Sequence, residues 1–171
     1  CTARAMAAVA EGAEAVSSKR AREALGMEVT RFEIDPVGEC ALEAPLRVRA
    51  ILHVATAPDL DGEVSAAAAA PMWRLRFVAD VAYARQATAL TEAPCAPSSL
   101  APGEHAVELL VPEGVPEAAL PRGAEESLAV LELTLEVAVG PTAAERHELA
   151  AARLVVDVRR GRDGRLQRGV L

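Results

Sequence analysis

The chain has 171 residues, with 25 Asp and Glu against 18 Lys and Arg, three His, three Cys and four aromatics. This is the length of one domain with at most an appendage, which excludes a multidomain enzyme, and a net charge of −7 argues against general nucleic-acid binding. About half of the residues are apolar, mostly Ala, Val and Leu, so a core can form from small side chains. No run reaches the roughly 18 apolar residues of a membrane-spanning helix.

The sequence opens on Cys1 without a Met. One reading is a piece of a longer product. The other is a mature bacterial lipoprotein anchored through Cys1 in the envelope, which would leave Cys40 and Cys95 as an even pair for one disulfide. Otherwise Cys40 and Cys95 are two buried thiols, since their spacing carries no metal signature. Residues 1–26 are Ala-rich, with Met6, Val9, Ala13 and Val16 at spacings of three and four and Gly26 at the stop position. This pattern predicts an N-terminal amphipathic helix, packed on the body or ending a coiled coil.

Beyond Met27 the period becomes two. In Leu46-Arg47-Val48-Arg49-Ala50-Ile51-Leu52-His53-Val54 the even positions are apolar, the mark of a half-buried strand. The same alternation runs through residues 73–78, 105–111, 131–137 and 153–159, and residues 28–34 and 85–90 complete about seven strands. Turns at Asp35-Pro36, Pro102-Gly103 and Gly140-Pro141 separate them. The reading is an all-β, immunoglobulin-like antiparallel β-sandwich over residues 27–159, followed by a basic C-terminal tail over residues 160–171.

Tests for chemistry come back empty. No G-x-S-x-G elbow surrounds a serine, and no G-x-G-x-x-G or Walker motif cradles a phosphate. His53, His105 and His147 stand singly without metal-ligand spacing, and Asp59-Leu60-Asp61-Gly62 matches only part of a calcium loop. No enzyme, metal or cofactor is therefore expected. Asp59 and Asp61 are instead assigned to a loop that meets a second partner.

What remains is surface. Val130, Glu132, Thr134 and Glu136 are expected on the outward side of the strand that buries Leu131, Leu133, Leu135 and Val137. Arg153, Val155, Asp157 and Arg159 face outward on the next strand, and a hairpin would join the two faces. Apolar anchors among charged selectors are how interfaces concentrate their affinity.

The order of these pieces resembles the anti-silencing-function histone chaperones. Trp73-Arg74-Leu75-Arg76-Phe77-Val78 looks like that family's tryptophan-led strand. Leu100-Ala101-Pro102-Gly103-Glu104-His105 looks like its turn into the following strand, and Leu166-Gln167-Arg168-Gly169-Val170-Leu171 is similar to its terminal Leu-Gln-Arg-x-Ile-Leu. The likeness covers about residues 28–171. Val156 and Asp157 stand where the family has an aromatic pair.

The resemblance implies an immunoglobulin-like sandwich that binds a histone H3 helix of an H3–H4 complex on its outer sheet face. The valine role falls on Val130 and the arginine role on Arg153, while the acidic position falls near Ala93, with Glu92 the nearest carboxylate; the alternation itself adds Val155 as an apolar anchor and Asp157 as a charged selector on the same face. It also implies a nuclear or cytoplasmic, chromatin-linked protein that does not contact nucleic acid directly. Two alternatives stand beside it: a structural adaptor in a larger assembly such as a cilium, and the envelope lipoprotein anchored at Cys1.

Overall fold

The computed structural model describes residues 26–56, 70–81, 84–124, 126–139 and 145–171. The helix expected over residues 1–26 falls, Gly26 apart, outside them, as do Asp59 and Asp61. Among the described residues there are nine strands and no α-helix: β1 (Met27–Asp35), β2 (Cys40–Ala41), β3 (Leu46–Val54), β4 (Met72–Val81), β5 (Ala84–Pro94), β6 (Gly103–Val111), β7 (Ser127–Val139), β8 (Glu145–Arg160) and β9 (Leu166–Val170). All seven expected segments are strands. The two additional ones are β2, too short to display a period, and β9, which lies within the segment read as a basic tail.

The strands form two antiparallel sheets, β1-β3-β6 and the larger, curled β2-β9-β8-β7-β4-β5. Register shifts at Leu75/Arg76 against β5 and at Leu135/Glu136 against β8 interrupt the larger sheet's ladders. An extra residue on one strand bends it and increases its twist, which favours curling. One core lies between the sheets. From the smaller sheet come Leu46, Val48, Ala50, Leu52 and Val54, every second residue of β3 as the alternation requires. Opposite them stand Trp73, Leu75 and Phe77 of β4 and Leu131, Leu133 and Leu135 of β7.

β7 and β8 form the expected pair, with Val130 opposite Val155 and Glu132 opposite Arg153. Between β6 and β7 the chain makes a close approach at Gly114, where φ is +62° and a Cβ would sit 2.3 Å from the carbonyl oxygen of Ala44. The neighbouring Val115 N–H donates to the Leu42 carbonyl at 3.0 Å, tying this connection to the turn after β2.

Candidate binding face

The outward face of the larger sheet carries all the described residues singled out for partner binding. On it Val130, Arg153, Val155 and Asp157 are neighbours across the β7–β8 pair, while Glu92 lies two strands from β7 on β5, opposite Arg74. Asp157 stands across from Leu128.

The middle of this face is not the solvated surface that the alternation predicts. Glu132 and Glu136 are each only 7% exposed, and Thr134 is fully buried. The cause is a lattice of arginines whose long side chains arrive from both flanking strands and lie across β7. Arg76 reaches Glu132 at 3.1 Å and Glu136 at 3.5 Å. Arg74 links Glu136, at 3.5 Å, to Glu92, at 3.2 Å. From β8, Arg153 donates to Glu132 at 2.7 Å, and Arg146 approaches Glu136 at 3.9 Å. Thr134 donates its hydroxyl proton to Glu136 at 3.0 Å.

Buried carboxylates of this kind are tolerated because several cations and a hydroxyl compensate the lost hydration. Arg153 and Glu92 are thus both engaged within the sheet, although each keeps part of its side chain in water. The sequence held a signal for this network: Arg74 and Arg76 recur at a spacing of two on one strand, and Glu132 and Glu136 at a spacing of four on its neighbour. Only the register Arg76↔Glu132 reveals that they meet.

Beside the ionic network the face turns apolar. Val78, Val130 and Val155 form a row across β4, β7 and β8. Val155 is 41% exposed, and Leu128, one step further along β7 on the same face, is 56% exposed. The backbone N–H of Leu171 donates to the Val155 carbonyl, bringing another exposed leucine to the same margin. Leu128, Val78 and Leu171 are not marked by the sequence: Leu128 and Val78 lie at or beyond the ends of alternating runs, and Leu171 lies in the segment read as a basic tail.

The face is therefore a charged plateau next to a small apolar step, with Asp157 at the step's far side.

Other titratable groups lie elsewhere. Burial pushes the Cys95 thiol above its ordinary value, partly offset by a hydrogen bond with Trp73. Cys40 and Cys95 are both free, so the disulfide of the lipoprotein reading is not formed. His105 makes a 2.7 Å hydrogen bond with the Ala101 carbonyl at the turn into β6. Among the described residues no group of three His, Cys, Asp or Glu is placed to hold a metal ion, and no helix is long and apolar enough to cross a membrane.

Compared with known proteins, the chain matches no family model and no curated sequence.

Proposed function

We propose that this protein is a non-enzymatic protein-binding module that receives a partner helix on the outer face of its six-stranded sheet, as an immunoglobulin-like histone H3–H4 chaperone core would. The observation that carries the reading is the exposed apolar step of Val155 and Leu128 beside Val130, set between Arg153 and Asp157 on one face. An amphipathic helix would lay its apolar stripe on that step. Its basic residues would meet Asp157 and the exposed part of Glu92, and an acidic residue would meet the exposed part of Arg153. A net charge of −7 favours a basic partner and speeds encounter with one.

Because Arg153 and Glu92 are already paired within the sheet, the apolar step supplies most of the affinity in this reading and the charges set orientation. The test is size-exclusion chromatography of the protein with a histone H3–H4 complex at moderate salt, using Val130→Arg, Val155→Arg and Arg153→Glu variants. Co-elution lost in both valine variants and weakened in Arg153→Glu is expected. Co-elution that none of the three alters would reduce the interaction to nonspecific attraction between an acidic and a basic protein. No co-elution of the wild type would reject the histone reading and turn the search toward the adaptor partner.

A further inference from the structure

Among the described residues the two sheets end on four edge strands, β1 and β6 in the smaller sheet and β2 and β5 in the larger. An open edge is a row of unpaired backbone groups, and charge, brevity or cover normally keeps other chains off it. β2 has two residues, β1 carries Glu28, Arg31, Glu33 and Asp35 and lies beside β8, and β6 carries Glu104 and Glu108. β5 is different. Eleven residues long, it has neither charge nor proline from Gln86 to Thr91, and Arg85 and Glu92 stand at the two ends of that stretch. Gln86 donates to the Ala118 carbonyl at 2.6 Å, which anchors the strand at one end. In a regular strand Arg85 and Glu92, an odd number of positions apart, would lie on opposite faces. Against β4, however, Leu75 pairs with Thr91 and Arg76 with Ala89, so Leu90 is an extra residue and both charged residues come to the outward, exposed face.

We propose that β5 pairs with β5 of a second copy of this chain, antiparallel about a two-fold axis at Thr88, joining the two larger sheets edge to edge. With Leu90 skipped in each copy as it is against β4, Thr88 meets Thr88, Ala87 meets Ala89, Gln86 meets Thr91 and Arg85 meets Glu92. Symmetry makes the contact of Arg85 with Glu92 twice. The pairing also continues the ionic pattern of the sheet. On β4, Arg74 stands opposite Glu92 and pairs with it at 3.2 Å, and Asp80 stands opposite Arg85. Across the joined sheets one row would read Arg74, Glu92, then Arg85 and Asp80 of the second copy, with the sign alternating at each step. Opposite charges on directly opposed residues support a strand pair, and like charges weaken it. The strand that fits this edge is therefore uncharged in its middle, with a base at one end and an acid at the other, and β5 is itself such a strand. A single strand pair buries little area, so the dimer is a weak one.

The test is sedimentation velocity of the full chain, under reducing conditions at low salt and from about 10 µM to about 1 mM, for wild type, R85E and E92R. The wild-type mass is expected to rise from 17.8 kDa toward twice that value with concentration. Each single variant sets like charges across the axis at both contacts and should dimerise about tenfold more weakly or worse. An equimolar mixture of R85E and E92R sets opposite charges across the axis at both contacts again, so it should recover the wild-type association. A wild type that stays monomeric over the whole range overturns the proposal, as does a dimer that neither variant weakens or a mixture that recovers nothing. Where a charge variant fails to fold, T88C decides. Oxidation should link two copies through position 88, identified by peptide mass, faster than it links copies of S98C, whose position is exposed in the loop after β5; linkage no faster than that control overturns the proposal.

Discussion

Arg76 on β4 stands directly across from Glu132 on β7, and its guanidinium lies 3.1 Å from a carboxylate that is almost wholly withdrawn from water. Glu132 also takes Arg153 from the other side, so one buried anion joins three strands. Removing one partner of a buried ion pair typically costs about 3–5 kcal/mol. Arg76 and Arg153 retain contact with solvent, which screens their share, so we expect Glu132→Ala to lose about 1–3 kcal/mol of stability. Urea unfolding measures this. Combining Glu132→Ala with Arg76→Ala should cost less than the sum of the two single losses; strict additivity would mean that the pair is not coupled.

Gly114 should tolerate no side chain. Its positive φ already strains any L-residue, and a Cβ there would lie 2.3 Å from the Ala44 carbonyl oxygen and 2.6 Å from the carbonyl carbon of Glu43. Both neighbours are backbone and cannot rotate aside. Gly114→Ala is expected to destabilise the protein by more than about 2 kcal/mol, whereas Gly38→Ala, which meets nothing within 4 Å, should fall within about 0.5 kcal/mol of wild type. Thermal unfolding of the two variants side by side makes the comparison, and equal melting temperatures would contradict it.

Cys95 gives stability a dependence on alkaline pH. Burial raises its thiol above the ordinary value of 9.0, so the folded chain retains a proton that the unfolded chain releases once the pH passes that value. The unfolded state then binds fewer protons, and stability declines as pH rises from about 9, at no more than about 1.4 kcal/mol per unit, with no effect from this group below about pH 8. Cys95→Ala removes this contribution. The stability difference between wild type and variant, from urea unfolding at pH 7, 9 and 10, should therefore shift toward the variant at high pH. A difference that stays constant across that range would contradict the account.

Much of the architecture was legible because one face of most strands is wet. Leu46, Val48, Ala50, Leu52 and Val54 alternate with exposed polar residues and the half-buried Ile51, and that alternation alone located β3 and its core face. β7 was harder. Its Glu132, Thr134 and Glu136 alternate just as well, yet they are buried, because burial on a central strand depends on what the adjacent strands lay across it. Neither Arg74 and Arg76 nor the register that brings them over β7 is encoded near those glutamates.

β9 escaped notice for a related reason. Arg168 occupies a core position, and a buried arginine reads in sequence as a polar interruption in a strand only five residues long. Of the candidate face, the valines and the β7–β8 hairpin were visible. The engagement of Arg153 and Glu92 within the sheet was not, since both long side chains reach partners chosen by strand order.

The pairing of β2 with β9 joins residues 128 positions apart along the chain, and the turn after β2 is held by the same late strand. Contacts of such long sequence separation are slow to form, because the intervening chain must be ordered before they reward it. During synthesis β2 therefore waits, without its sheet partner, while more than a hundred further residues are made. The other edge of that sheet, β4 with β5, closes over a short connection. The larger sheet thus has an early side and a late side, and Cys40 and Arg168 sit together on the late one.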